Sequence, residues 1–440
     1  MKGDTAREAA LAVLMACRQN GAWVDGALKA ALKRYELNAR DAAFASRIAY
    51  GVTQNRLWLD HCLGQFMKQK KTDPLLVDIL RLGAYQLLFM DKVPDNAAIN
   101  EAVNMAKGHK LAWAAGLTNA VLRNVARSRA QLENTEFSDP VEALSVRTSH
   151  PRPLVERLIA LLGAEEAGEL LRLDNESVPV TVQTNTLKTT AQELCRSLEA
   201  EGCIVLPHPW LADCFELAAT GNIENLTAFR AGWFTVQDAA AKLAALAAAP
   251  KPGDFVIDTC AAPGGKSFAM AMLMGDKGRI FSCDMEEHKI ALIAKNAERL
   301  GVKCVESQLK DATVKDLSLT EKADVVLCDV PCSGLGIIRK KPDIRYKDMR
   351  ELAELPKIQR AILENACGYV RPGGTLVYST CTVLPEENEG VTDAFLAAHP
   401  EFNYDRMELP APYGAVEGHI TFWPQRDGTD GFYICRMKRG

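Results

Sequence analysis

From Gly253 onward, short apolar segments alternate with stretches of helical periodicity, and this alternation constrains the fold more than any other feature of the chain. The strand-like segments include FVIDTC, RIFSCD, ADVVLCDV and TLVYSTCTV, and helical segments such as KIALIAKNAERL separate them. Apolar strands joined by helices are typical of a parallel, doubly wound sheet. We therefore predict an α/β Rossmann-like domain over residues 236–440. The last segment, GFYICRMKR (431–439), is expected to add an edge strand.

The first part of the chain has a different periodicity. In AREAALAVLMACRQ and DPLLVDILRLGAYQLLFM the apolar residues recur at helical spacing. Pro74 is expected in the first turn of a helix, Asp95 as an N-cap, and Gly108 at a helix end. These patterns predict an all-α domain over residues 1–135.

The middle of the chain is expected to hold a linker and a small α+β domain over residues 136–235. The polar stretch 130–150 lacks clear periodicity and is followed by PRP, which favours a linker. Beyond it, VPVTVQTNTLK alternates like a strand and AQELCRSLEAEG is helical.

The composition is that of a folded protein with several domains. The chain has 440 residues, of which 48% are hydrophobic and 25% charged. Its first ten residues, MKGDTAREAA, lack the apolar region of a signal peptide, and no apolar stretch is long enough to span a bilayer, so a cytoplasmic location is expected. The 13 cysteines do not occur in zinc-ligand spacing, so we expect neither disulfides nor a metal site.

The charge is unevenly distributed along the chain. The net charge is −4, yet residues 1–130 contain 19 Lys and Arg against 11 Asp and Glu, a net charge of +8. A basic domain is suited to a polyanion such as RNA. Solvated helix surfaces are an equally acceptable interpretation of these charges.

A glycine-rich loop at 260–266, CAAPGGK, follows the first strand of the predicted sheet. Paired glycines allow close approach of a ligand at the sheet edge where such folds bind ligands, and a helix N-terminus receives a carboxylate. The loop fits neither a dinucleotide nor a P-loop motif. Asp284 ends the next strand at the offset typical of a ribose-binding acid. Asp311 follows the third strand, where it serves either a cofactor or a helix cap.

Two cysteines fall at the ends of the fourth and fifth strands, in DVPCSG and STCT. A thiolate that adds to carbon 6 of cytosine makes carbon 5 nucleophilic, which is the chemistry that carbon methylation requires. Asp329 is placed to supply a hydrogen bond or proton at N3. Asp-Val-Pro-Cys replaces the Asn/Asp-Pro-Pro-aromatic turn of amine methyltransferases, which favours methylation of carbon. The residues alone do not choose between Cys332 and Cys381 as the attacking thiol.

The motifs CAAPGGK, DVPCSGLG, KKPDIRY and YSTCTV resemble those of the RsmB (Sun/Fmu) family of RNA cytosine-C5 methyltransferases. The resemblance implies that Cys381 is the nucleophile, that Cys332 aids product release and that Asp329 assists catalysis. It also implies S-adenosylmethionine as the cofactor, surrounded by Cys260, Ala261, Ala262, Pro263, Gly264, Gly265, Lys266, Asp284, Asp311 and Asp329.

The resemblance extends over nearly the whole chain. AINEAVNMAK and LTNAVLRNVAR are similar to a NusB-type RNA-binding domain, and VQTNTLK and WFTVQDAAA to the small α+β domain of this family. It implies 16S ribosomal RNA, or a small-subunit assembly intermediate, as the partner of a monomeric enzyme. Pro153 and Lys242 depart from the usual family pattern.

Two other functions stay open on the sequence. One is a transfer-RNA cytosine-C5 methyltransferase. The other is an RNA-binding ribosome assembly factor whose catalytic domain is vestigial, although both cysteines are intact.

Overall fold

The structure is a computed structural model that describes residues 4–67 and 72–440. The chain divides into two compact units. The first comprises Met1–Glu176 together with Ile338–Met349, and the second comprises Ser177–Ile337 together with Arg350–Gly440.

The first unit is helical, as the periodicity predicts. Its helices are α1 (Thr5–Asn20), α2 (Val24–Tyr35), α3 (Ala39–Gln54), α4 (Arg56–Gly64), α5 (Pro74–Phe89), α6 (Asp95–Gly108), α7 (Ala115–Arg127), α8 (Arg129–Glu133), α9 (Pro140–Thr148), α10 (Arg152–Leu162) and α11 (Ala164–Leu173). Pro74 opens α5 and Gly108 ends α6, as predicted. The prediction for Asp95 is wrong: it is the first residue of α6 rather than its N-cap, and its carboxylate pairs with Arg129.

The stretch 130–150, predicted as a linker, contains most of α8 and the whole of α9. Asp139 caps α9 by accepting a hydrogen bond from the backbone of Val141, and Pro140 occupies the first helical position. The helix is short and its apolar periodicity is weak, so the hydrophobic pattern did not indicate it.

The segment Ile338–Met349 belongs to the first unit although the residues on both sides of it belong to the second. Its Arg345 is 1% exposed. The Arg345 guanidinium donates to the carbonyl of Gln54 at 3.0 Å and to Asn175 Oδ1 at 2.8 Å. These oxygens satisfy the terminal nitrogens of the buried guanidinium, while its Nε is buried with no hydrogen-bond partner among the described residues.

The second unit begins with the small α+β structure that the sequence predicts. Its four antiparallel strands have the order β2-β3-β1-β4. The elements are β1 (Val180–Thr184), α12 (Ala191–Ala200), β2 (Ile204–Pro207), β3 (Cys214–Ala218), α13 (Thr227–Arg230) and β4 (Phe234–Val236).

The rest of the second unit is the α/β domain with a mixed, mainly parallel sheet. Its elements are α14 (Ala239–Ala248), β5 (Phe255–Asp258), α15 (Gly265–Leu273), β6 (Arg279–Asp284), α16 (Glu287–Leu300), β7 (Val305–Leu309), β8 (Ala323–Asp329), α17 (Met349–Leu352), α18 (Leu355–Cys367), β9 (Val370–Thr380), α19 (Glu389–Ala398), β10 (Phe402–Tyr404), β11 (Arg406–Glu408), β12 (Ala415–Glu417), β13 (His419–Phe422), α20 (Pro424–Asp427) and β14 (Phe432–Arg439).

The strand order of this sheet is β10-β14-β9-β8-β5-β6-β7, with β13 paired to β14. Strands β5 to β9 are parallel, so their carboxyl ends meet at one edge. The order reverses at β5, and such a reversal opens a crevice where doubly wound folds bind ligands.

The prediction of an edge strand at 431–439 is wrong. Strand β14 lies between β10 and β9 and pairs antiparallel with both, and with β13 as well. Its residues Phe432 to Cys435 are all buried. The interior position follows from this continuous burial, because an exposed edge strand would present alternate residues to solvent.

Candidate active site

The predicted site residues lie at or just beyond the carboxyl ends of the parallel strands. Asp284 ends β6 and Asp329 ends β8, while Cys381 directly follows β9. Cys332 comes three residues after the end of β8, and the loop 260–266 leads from β5 into α15. The strand order places β8 and β9 side by side, so the two cysteines and Asp329 come together. Asp284 and Asp311 lie beyond β5, on the β6 and β7 side of the same edge.

The loop before α15 is shaped for a ligand to approach its backbone. Gly264 has φ of 103°, and a Cβ placed on it would lie 2.5 Å from the ring of Phe268. A Cβ on Gly265 would lie 3.3 Å from Gln237 Nε2. Gly264 therefore does not accept a side chain without strain, whereas a side chain at Gly265 requires Gln237 to shift. The backbone left bare here, at the N-terminus of α15, fits the amino-acid carboxylate of S-adenosylmethionine.

Hydrogen bonds fasten α15 to the sheet. Ser267 donates to Asp258 Oδ2 at 2.7 Å, and Ser282 donates to Ser267 Oγ at 2.6 Å. Burial raises the pKa of Asp258 to about 7. The loop is thus held between two strand ends by a polar cluster inside the domain.

Asp284 and Asp311 have different surroundings. Asp284 is buried and accepts a hydrogen bond from the backbone of Glu286 at 3.2 Å. Asp311 is exposed, and Thr313 donates to its Oδ1 from the backbone and the hydroxyl, which lowers the pKa of Asp311. Asp311 therefore closes a local turn, in which the Val314 N–H donates to its carbonyl, and it does not cap a helix, which was the alternative to a cofactor role. It also lines a cavity of about 600 Å³, together with Thr259.

The two cysteine sulfur atoms are 3.0 Å apart, and both side chains are partly buried. A hydrogen bond from Cys332 lowers the pKa of the Cys381 thiol. The same hydrogen bond, followed by burial, raises the pKa of Cys332 well above its usual value. Either thiol can donate in this contact, and the direction of the two pKa shifts favours Cys332 as the donor and Cys381 as the thiolate.

The pKa values of the other cysteine thiols also differ from that of Cys381. All 13 cysteines lie in the described residues, and Cys381 is the one whose pKa is lowered. Burial raises the pKa of Cys260, in the loop 260–266, well above its usual value. Burial also raises the pKa values of the buried Cys283 and Cys328, to about 12. Burial in apolar surroundings makes these thiols poor nucleophiles.

Asp329 accepts two hydrogen bonds at this edge. Lys266 Nζ lies 2.6 Å from its Oδ2, and Ser379 Oγ lies 2.8 Å from its Oδ1. Burial acts to lower the pKa of Lys266, but the Asp329 carboxylate outweighs it and the pKa is raised. Lys266 also faces the ring of Phe432, at 5.1 Å from the ring centroid. The sequence suggests Lys266 as a cofactor residue but gives no indication of this ion pair.

A buried polar network behind the cysteines was not predicted. Ser333 Oγ donates to Thr382 Oγ1 at 2.7 Å, which joins the two cysteine turns directly. The Ser333 N–H donates to Glu387 Oε2 at 2.9 Å, and Gln359 Nε2 donates to the same oxygen at 2.9 Å. The available signal was VLPEENEG, a cluster of carboxyl and amide groups just after the Cys381 strand.

Within residues 4–67 and 72–440, no three His, Cys, Asp or Glu side chains are grouped so as to hold a metal ion. Over the same residues, no helix has the length and apolar character needed to cross a membrane.

Family comparisons agree with this geometry. Residues 245–438 match the sequence model of the 16S rRNA methyltransferase RsmB/F family. Over 449 aligned residues the chain is 37% identical to a protein of Bacillus subtilis named as a probable ribosomal RNA small subunit methyltransferase B, and the alignment covers 100% of both. The chain belongs to the RsmB/F family. It is an S-adenosylmethionine-dependent RNA methyltransferase.

Other matches extend over the rest of this RsmB/F family chain. Residues 4–127 match the NusB family, and residues 150–224 match the ferredoxin-like domain of RsmF/B-like methyltransferases. The ribosomal RNA small subunit methyltransferase B of Erwinia tasmaniensis is 30% identical over 423 residues, which cover 95% of each chain. The crystal structure of PH0851 superposes with a TM-score of 0.81 at 27% identity, covering 100% of this chain and 99% of the other.

Proposed function

We propose that this protein methylates carbon 5 of a cytosine in 16S ribosomal RNA, with Cys381 as the covalent nucleophile. The observation that carries the proposal is the pairing of two thiols at the carboxyl edge of the parallel strands. Cys381 alone among the cysteines has a lowered pKa, and its sulfur lies 3.0 Å from that of Cys332.

In the proposed reaction the Cys381 thiolate bonds to carbon 6 of the cytosine, and the electron pair of the C5–C6 double bond makes carbon 5 nucleophilic. S-adenosylmethionine, when bound, would supply an electrophilic methyl group, which carbon 5 takes up as the S–CH3 bond breaks and S-adenosylhomocysteine is left. The proton on carbon 5 then passes to water, and the C6–S bond breaks. Because Cys332 donates a hydrogen bond to Cys381, it stabilises the thiolate that leaves.

Asp329 and Lys266 act on the other side of the base in this proposal. Negative charge builds on the cytosine ring at N3 as Cys381 adds, and Asp329, once it has taken a proton from Lys266, donates a hydrogen bond or that proton there. Lys266 holds the Asp329 side chain at 2.6 Å and places a positive charge at the same edge. The base must be unstacked, because the thiolate approaches from above the ring plane.

The cofactor is assigned to the edge formed by the loop 260–266 and the neighbouring strand ends. The backbone at Gly264 and Gly265 holds the amino-acid part of S-adenosylmethionine, and Asp284 is suited to its ribose hydroxyls. Asp311 is assigned to the adenine side, where it lines the cavity of about 600 Å³. Asp329 is the last of the residues assigned to cofactor binding.

The choice of 16S ribosomal RNA is supported by the relatives, whose names refer to the small ribosomal subunit. The basic helical segment 1–130 and its match to the NusB family support RNA binding. We further propose three domains with limits 1–135, 136–235 and 236–440, and a monomer that acts in the cytoplasm.

The test is methyl transfer by the purified full-length chain from labelled S-adenosylmethionine to 16S ribosomal RNA, to small-subunit assembly intermediates and to transfer RNA. Nucleoside chromatography of the digested product identifies the base. We expect 5-methylcytidine in the ribosomal RNA arms. Label in transfer RNA alone would contradict the substrate, N4-methylcytidine would contradict the chemistry, and tight binding without transfer would favour an assembly factor.

A further inference from the structure

Glu387 is a buried carboxyl group that contacts the Cys332 turn and lies outside the catalytic set described above. It is 1% exposed, and its Oε2 accepts from the N–H of Ser333, the residue that follows Cys332. Gln359 Nε2 donates both to this oxygen and to the carbonyl of Pro331, at 2.9 and 3.0 Å. The carboxyl group is therefore fixed against both residues that flank Cys332.

The second carboxyl oxygen of Glu387, Oε1, is buried and has no hydrogen-bond partner among the described residues. A buried carboxyl group with one unsatisfied oxygen is costly, and an apolar side chain at this position would avoid that cost. Hydrogen bonding to the turn requires only one acceptor. The arrangement is better explained by a charge that acts on the neighbouring thiols than by turn formation alone.

Charged groups surround the cysteine pair unequally. Lys266 on α15, Asp329 at the end of β8 and Asp430 just before β14 act on Cys381, where Lys266 opposes the two carboxylates. Glu387, just before α19, acts on Cys332 and raises its pKa. Lys266 thus offsets part of the carboxylate charge that acts on Cys381, whereas no cation in this set offsets Glu387 at Cys332.

We propose that Glu387 keeps the proton shared by the two cysteines on Cys332 and thereby leaves the reactive thiolate at Cys381. Glu387 is a positioning residue: it acts through the Cys332 turn and through its charge. The inference rests on the proposed function, in which Cys381 is the nucleophile. It explains how two identical side chains 3.0 Å apart acquire different reactivity.

Glu387→Gln is the most direct test, because the amide oxygen still accepts from Ser333 and Gln359 while the charge is removed. The full-length protein, free of RNA and cofactor, is treated with limiting iodoacetamide across a pH series, and the alkylated peptides are mapped by mass spectrometry. Wild type is expected to react first at Cys381. In Glu387→Gln this preference over Cys332 is expected to fall about tenfold, the equivalent of one pKa unit.

Two controls accompany the test. Glu386→Gln makes the same change at the adjacent, exposed residue and is expected to keep the wild-type preference. Glu387→Asp keeps the charge and is expected to stay within about threefold of wild type, a change of half a pKa unit. Alkylation of the buried Cys328 reports unfolding.

If Glu387→Gln exposes Cys328, Gln359→Lys replaces it, because an ammonium against the same carboxylate also offsets its charge and should lower the preference. An unchanged preference in the folded variants would overturn the role of Glu387 while leaving Cys381 as the nucleophile. First reaction at Cys332 in wild type would instead contradict the proposed function.

Discussion

The turns that carry Cys332 and Cys381 follow adjacent parallel strands, yet their surroundings differ. Glu387 and Gln359 form hydrogen bonds with the backbone of the Cys332 turn. The Cys381 turn is joined to it by the backbone, since the Gly336 N–H donates to the Cys381 carbonyl at 3.0 Å. Lys266 supplies positive charge on the Cys381 side. In the proposed function, these surroundings, rather than the residue type, divide the chemistry between two equal thiols.

The largest expected effect comes from removing the positive charge on the Cys381 side. Lys266→Met leaves the Asp329 charge uncompensated beside Cys381, which raises the pKa of that thiol. We expect kcat for methyl transfer to fall about a hundredfold or more and the activity profile to move to higher pH. Steady-state kinetics across a pH series measures both effects.

The matched control for this prediction is Lys242→Met. Lys242 is also buried and pairs with an aspartate, Asp213. Its loss is expected to reduce stability but to preserve kcat per folded molecule. Equal losses of kcat in the two variants would show that Lys266 acts only through folding.

The next effect concerns cofactor binding. Gly264→Ala places a Cβ 2.5 Å from the Phe268 ring in a backbone conformation with positive φ. The loop must move, so we expect the Kd for S-adenosylhomocysteine, measured by calorimetry, to rise about tenfold or more. Gly275→Ala is the control, because Gly275 also has positive φ but has open space around it. A similar rise in both variants would indicate backbone strain rather than loop shape.

The sequence was sufficient to predict that Cys332 and Cys381 share an edge, because apolar strands end just before each of them and parallel strands end at the same side. It did not predict the pairing of Lys266 with Asp329, because that contact depends on β8 lying beside β5. The place of β14 inside the sheet was missed for a related reason. Strand order is set by tertiary packing, which hydrophobic periodicity along one segment does not record.

Two further features depend on contacts between residues that are distant in sequence. Arg345 lies in KKPDIRY, which resembles a catalytic-domain motif, yet it is buried among residues of the helical unit. Glu387 stands in a run of polar residues that, without the structure, is typical of an exposed turn. Its burial became evident only from its contacts with the Cys332 turn.

The smallest expected effect concerns the stability of the folded protein, and it arises beside the loop 260–266 rather than at the cysteine pair. Burial raises the pKa of Asp258 from 3.8 to about 7 in the folded protein. Between about pH 4 and pH 7 the folded state keeps a proton that the unfolded state has lost, so the contribution of Asp258 to stability declines as the pH rises.

Asp258→Asn removes this decline and still accepts a hydrogen bond from Ser267. Relative to wild type, we expect no gain at pH 4 and a gain on the order of 4 kcal/mol at pH 8, measured by urea unfolding. An equal gain at both pH values would contradict the assignment to Asp258.

The most direct test of the account is covalent trapping with Cys381→Ala and Cys332→Ala, each incubated with substrate RNA and S-adenosylmethionine. Denaturing gels detect the protein–RNA adduct, and labelled methyl groups report transfer. We expect Cys381→Ala to abolish both adduct and transfer, and Cys332→Ala to accumulate a methylated adduct because the leaving thiolate loses its hydrogen bond. An adduct that accumulates in Cys381→Ala and is absent in Cys332→Ala would contradict it.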